Sequence, residues 1–258
     1  MNGELYQMCL LTAAAKQALF RGGEFKYEPT VYENKVEFLF LPNIRQCGVF
    51  NRTAKNAEKW YKYLGKKGLR DIKLVMPTEV KDRQLLGFAN TTQSSIICYF
   101  KNSEITAFEP RWEFDQKLKK WNILYTEHLL LIPFVKPYGE DNTDDFREVL
   151  IEIADLAERI DCSNFAKFFE RALSFLDGRE TPSAAPLSKS PLPNIPEKNL
   201  PLFCAADAAD VFGAMGSWND SPSFMAHEKG LDKEYGELSA RLLKNIRLAV
   251  FYAINEWR

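Results

Sequence analysis

The chain has only two histidines in 258 residues, His128 and His227. That scarcity removes most routes to imidazole acid–base chemistry and to histidine-rich metal sites. Cysteine is sparse too. Cys9, Cys47, Cys98, Cys162 and Cys204 are odd in number and far apart, and no two form a CxxC pair. Neither a zinc site nor a disulfide framework is signalled, and the expectation is reduced thiols in a cytosolic protein. No apolar run approaches the ~20 residues needed to cross a bilayer. The longest, His128 to Phe134, is far too short, and Glu4 precedes any apolar region, so no signal peptide is expected. There is no internal repeat. No serine sits in a GxSxG elbow, and the hydroxyl-rich run Asn90 to Ser95 lacks the lysine and glycine spacing of a phosphate loop.

Core material is plentiful. Apolar residues make up 46% of the chain, and phenylalanine occurs 19 times, which favours a packed globule over disorder. The net charge of −1 conceals an asymmetry. Residues 1–139 hold 21 Lys and Arg against 14 Asp and Glu, or +7, which leaves −8 for residues 140–258. Halves of opposite sign attract one another, or the basic half faces an acidic partner.

Periodicity supplies the elements. Glu4 to Phe20 predicts a helix stopped by Gly22-Gly23. Phe25 to Leu41, aromatic and β-branched, predicts a hairpin turning at Glu33-Asn34. Thr53 is the expected cap of a helix to Tyr63 carrying Ala57, Trp60 and Leu64. Asp71 to Met76 is a short buried strand. Leu85 to Tyr125 is the strongest β region and predicts a three-stranded antiparallel meander with turns near Asn102-Ser103 and at Asp115 to Lys120, bent at Pro110. Thr143 to Ile160 and Ser163 to Leu176 predict an αα-hairpin. Gly178 to Pro201 holds six of the thirteen prolines and reads as an extended segment crossing the surface. Asp232 to Trp257 is a long helix, apolar nearly all round in its second half. The expected fold is therefore α+β. An antiparallel sheet with flanking helices occupies 1–139, and a mainly helical lobe occupies 140–258. The two form separate lobes or one continuous domain.

Chemistry-bearing residues concentrate in Phe203 to Phe224 and just beyond. Asp207, Asp210, Asp220 and His227 are the candidate ligands for a divalent ion, or a base with its polarising partners. Against that, Asp207 suits a helix N-cap, Asp210 a first turn, Gly216 a helix stop, and Asn219-Asp220-Ser221-Pro222 a turn. Trp218 fits this bland account least, because an indole needs somewhere to lie, and it is the candidate binding residue. Glu148, Glu152 and Asp155 form a carboxylate row without the histidine of a di-metal bundle. Trp60 to Lys73 and Lys117 to Trp121 interleave basic and aromatic residues, as nucleic-acid binders do. A pI near 6.2 argues against that use. These observations favour a cytoplasmic, non-catalytic binding or regulatory protein acting on a protein partner. The alternatives are a metal-dependent hydrolase using the Asp/His cluster, and nucleic-acid binding by the basic half.

Overall fold

The structure, a computed structural model, describes residues 1–41, 52–80, 82–130, 136–182 and 190–257. Its sheet comprises β1 (Glu33–Leu39), β2 (Thr53–Ala54), β3 (Leu69–Val75), β4 (Ser95–Phe100), β5 (Ile105–Asp115) and β6 (Lys120–Leu129), in the order β2-β1-β6-β5-β4-β3. The helices are α1 (Gly3–Arg21), α2 (Ala57–Lys67), α3 (Thr143–Arg159), α4 (Ser163–Leu176), α5 (Leu200–Ala209), α6 (Ser221–Glu228) and α7 (Asp232–Asn255). No described helix is long and apolar enough to cross a membrane. The fold is mixed α and β, with a mostly antiparallel sheet.

The meander forms as expected. β4 meets β5 through Ile96↔Phe108, and β5 meets β6 through Phe108↔Glu127 and Trp112↔Ile123. Pro110 needs no bend. The Ile105 carbonyl accepts from Leu130 on the β6 side, so by alternation Pro110 aims its imide nitrogen at the β4 side. β4 ends opposite Phe108, and no ladder bond is lost there.

The hairpin expected across Phe25 to Leu41 does not form. Glu33 opens β1 instead of turning the chain. Its buried carboxylate accepts from the Thr30 amide and hydroxyl and from the Tyr27 hydroxyl. β1 then lies parallel to β6, with Val36↔Ile123 and Phe38↔Tyr125, so the sheet is not wholly antiparallel. Packing explains the choice. Phe38 stacks on Tyr125 at 5.1 Å and on Trp60 of α2 at 4.8 Å, and Phe108 meets Trp60 edge-on at 5.7 Å. Thr53 is not a helix cap either. It belongs to β2, and Asn56 caps α2 by accepting from the Lys59 amide.

Helices α1 and α2 cover this inner face. The outer face carries exposed Lys35, Arg111, Glu113 and Leu124. His128, next to the end of β6, is half exposed on that face, 3.7 Å from Glu109. The αα-hairpin α3–α4 forms with the expected bounds. α5 packs on α4 and α7, and one cluster of buried apolar residues runs from Leu5 through to Ile254. The proline-rich run is described over 178–182 and from Ser190 onward. There Ser190 and Ile195 are buried, Tyr6 donates to the Pro191 carbonyl, and the Asn199 carboxamide donates from Nδ2 to the carbonyls of Ala253 and Glu256. Composition predicted an extended segment; from Ser190 onward these contacts pin it against α1 and α7.

β3 is an edge strand, and side chains rather than another strand close it. The Asn255 carboxamide accepts from the Leu74 amide at 2.9 Å and donates to the Leu74 carbonyl at 2.7 Å. Lys16 of α1 donates to the Ile72 carbonyl at 3.3 Å. These bonds satisfy groups that would otherwise template another chain. Asn255→Ala should lower the unfolding free energy by about 2 kcal/mol, since it orphans a buried donor and acceptor together. Urea unfolding checks the loss, and exchange of the Leu74 amide should accelerate selectively.

Candidate functional site

The residues singled out from 203–227 do not assemble. α5 begins at Leu200, with Pro201 in its first turn, so Asp207 lies in the last turn and not at an N-cap. Its carboxylate accepts from the Met1 amino group at 2.9 Å. Asp210 is the C-cap of α5, not a first-turn residue. Asp220 accepts from the Gly216 amide at 2.8 Å, and Gly216 sits at φ 79° inside that turn instead of ending a helix. His227 is exposed and pairs with Asp232 at 2.9 Å. That carboxylate raises its pKa. Asp207, Asp220 and His227 thus each have a different partner. Among the described residues no group of three or more His, Cys, Asp or Glu is placed to hold a metal.

Trp218 finds its place to lie in the core. It is 0% exposed, sits edge-on to Phe165 and Phe169 at 5.3 Å each, and donates from Nε1 to the Ser239 hydroxyl at 2.8 Å. It offers no face to a ligand. Trp60 is equally buried, which takes it out of any nucleic-acid surface. The carboxylate row on α3 is tied to other side chains. Glu148 and Glu152 pair with Arg241 of α7, and Asp155 with Arg159.

Two of the concavities among the described residues bear on function. The larger, about 600 Å³, runs beside the β3 edge between Lys16, Lys73, Asp71, Lys136, Glu256 and Trp257. It is densely paired. Lys73 donates to Glu256 and to the Pro137 carbonyl, both at 2.7 Å, and Lys136 is bound to Asp71. Lys16 is 3.5 Å from Asp71 and lies over the rings of Phe20 and Trp257. Burial outweighs the help from Asp71 and lowers its pKa to about 8.

The second concavity, about 300 Å³, lies at the start of α1 and is walled by aromatic rings. Trp112 and Trp121 meet at 5.8 Å and 65°, and Tyr32 and Trp112 at 6.3 Å and 42°. Phe88 closes one side, and Gly3 and Glu4 form the floor. Glu4 is 5% exposed. Its Oε1 accepts from the Asn90 amide at 2.5 Å, while Oε2 has no hydrogen bond. Burial raises its pKa, and the bond from Asn90 and the nearby Thr92 hydroxyl oppose that. Trp112 Nε1 is likewise buried without an acceptor.

Asn90 organises this pocket. Beyond the end of β4 its carboxamide takes the place of a strand. It accepts from the Trp112 amide at 2.7 Å and donates to the Trp112 carbonyl at 3.0 Å. Its own amide holds Glu4, and its φ of 64° is one that asparagine tolerates better than most residues. In sequence it belongs to a run that reads only as a strand connection. The one signal was Asn90 itself, beside a loop rich in hydroxyls.

The same loop is fused to the 203–227 region. A Cβ on Gly87 would lie 2.2 Å from the Ala214 nitrogen, so only glycine allows this approach. Asn219 donates to the Arg83 carbonyl at 2.9 Å across the joint. Leu85, Phe88 and Met215 are left exposed on the two segments, Met215 at 95%. Compared with models of protein families, with curated proteins and with solved structures, the chain matches none.

Proposed function

We propose that this chain is a non-catalytic binding protein of the cytosol that acts on a protein partner through the joined loops 85–89 and 213–219. One observation carries the reading. The Gly87–Ala214 contact holds two segments together while Leu85, Phe88 and Met215 stay in water. Large apolar side chains displayed on a braced surface are a feature of interaction sites, and methionine adapts well to a partner's shape. Phe88 belongs both to this surface and to the aromatic pocket, so a partner covering the patch also covers the pocket mouth. The four described cysteines are free and buried, in keeping with a reducing compartment.

The double variant Phe88→Asp/Met215→Asp tests this. Both side chains are exposed, so stability should change by no more than about 0.5 kcal/mol. A partner captured by the wild-type chain and then purified should bind the variant at least tenfold more weakly in titration calorimetry. Undiminished binding, or a wild-type chain that takes no partner and turns over a small molecule, would sink the reading.

A further inference from the structure

We infer that the pocket formed by Tyr32, Phe88, Trp112, Trp121 and Glu4 receives a mono- or dimethylated lysine side chain of the protein partner. The inference rests on the protein-binding reading above and names what that partner presents.

The walls point to a cation. Tyr32, Trp112 and Trp121 are mutually inclined, at 42° and 65°. Such rings enclose a volume in place of stacking it shut. Ring faces attract an ammonium through their quadrupole, and the attraction grows as water is excluded. The floor adds a full negative charge when Glu4 is ionised. The start of α1 contributes an opposing partial positive charge. Asn2 blunts it, because its side chain already accepts from the Glu4 amide at 2.8 Å. The Tyr32 hydroxyl is also spent, donating to the Gly3 carbonyl at 3.2 Å. The carboxylate therefore sets the sign.

Glu4 Oε2 narrows the choice further. It makes no hydrogen bond, although the Thr92 hydroxyl is near enough to favour the carboxylate, and an ammonium in the pocket reaches it once the side chain turns inward. A mono- or dimethylammonium carries an N–H for Oε2 and places its methyl groups against the rings. A trimethylammonium fills the same space but donates nothing. An unmodified ammonium donates but is compact and strongly hydrated, so it surrenders more on leaving water. A water molecule on Oε2 would quiet that atom and leave the ring faces without an apolar partner.

The test uses the full chain and four short peptides of one sequence. They differ only in one residue: lysine, dimethyllysine, trimethyllysine or norleucine. Binding is read by titration calorimetry and by the fluorescence of Trp121 and its neighbours. Dimethyllysine should bind at least tenfold more tightly than each of the other three. Glu4→Gln keeps the shape and should erase the preference for dimethyllysine over norleucine. Trp121→Leu, at a half-buried ring, should weaken dimethyllysine tenfold, with circular dichroism and melting confirming that both variants fold. Equal binding of lysine and dimethyllysine overturns the inference, as does equal binding of norleucine or no binding by any peptide. Free dimethylammonium ion binding as tightly as the peptide would also overturn it, by removing the protein source. The two readings fail separately. If Phe88→Asp/Met215→Asp abolishes partner binding but excess dimethyllysine peptide does not compete, the patch stands and the methylammonium inference falls.

Discussion

Trp218→Ala is expected to lower the unfolding free energy by about 3–5 kcal/mol, the usual range for truncating a fully buried tryptophan. Three effects add. The indole leaves a cavity between Phe165, Phe169 and Tyr235. Ser239, itself buried, loses the donor on its hydroxyl. The neighbouring backbone is tied in as well, since the Tyr235 hydroxyl donates to the Trp218 carbonyl at 2.5 Å. Trp218→Phe should cost less, because it keeps much of the ring volume and forfeits the bond to Ser239. Denaturant midpoints give both values. A loss below about 1 kcal/mol for the alanine variant would mean that the 211–220 turn does not brace α4 against α7.

Lys16→Met should act in the opposite direction and stabilise the protein near neutral pH by about 1–3 kcal/mol. The Lys16 pKa of about 8 in the fold lies below its ordinary value of 10.5. A difference of that size corresponds to roughly 3 kcal/mol of penalty on the charged form. Some of the gain is returned, because the variant gives up the bond to the Ile72 carbonyl. The sign with pH follows from proton binding. Between pH 8 and 10.5 the unfolded chain holds the lysine proton and the folded chain has released it, so wild-type stability climbs with pH across that window. Below pH 8 both states are protonated and the penalty is constant. The advantage of Lys16→Met should therefore be full at pH 7 and gone by pH 10.5. Urea titrations of both proteins at three pH values between 7 and 10.5 decide it, and an advantage that grows with pH would refute the account.

Much of the fold was legible because it is written at short range. The stripes of α3, α4 and α7 and the alternation of β4 to β6 depend on neighbours in sequence, and their bounds come within a few residues. What failed depends on distant partners. Nothing local says that β1 takes β6 as a parallel neighbour, because the stack of Phe38, Tyr125 and Trp60 joins three separate stretches. Asp207 and Asp210 have the right chemistry for caps, but α5 begins earlier than they suggest. The aromatic pocket was invisible for the same reason. Tyr32, Trp112, Trp121 and Glu4 meet only after the sheet closes, and Asn90, which seats one wall and the floor, looks like any turn asparagine. Trp218 was rightly marked as the residue least at home in a turn, yet its partners Phe165 and Ser239 lie on other helices.

The lock on the β3 edge has a consequence in time. Asn255 follows Leu74 by 181 residues. At synthesis rates of roughly 5–20 residues per second, the strand waits on the order of 10–40 seconds for the side chain that closes it. Once residue 129 is made, every other described strand of the sheet exists, yet β3 still presents an open backbone to any neighbouring nascent chain. The vulnerable moment for this protein is therefore set by the order in which its parts leave the ribosome. Slowing translation after residue 129 should lengthen it, even though the finished molecule keeps no trace of the exposure.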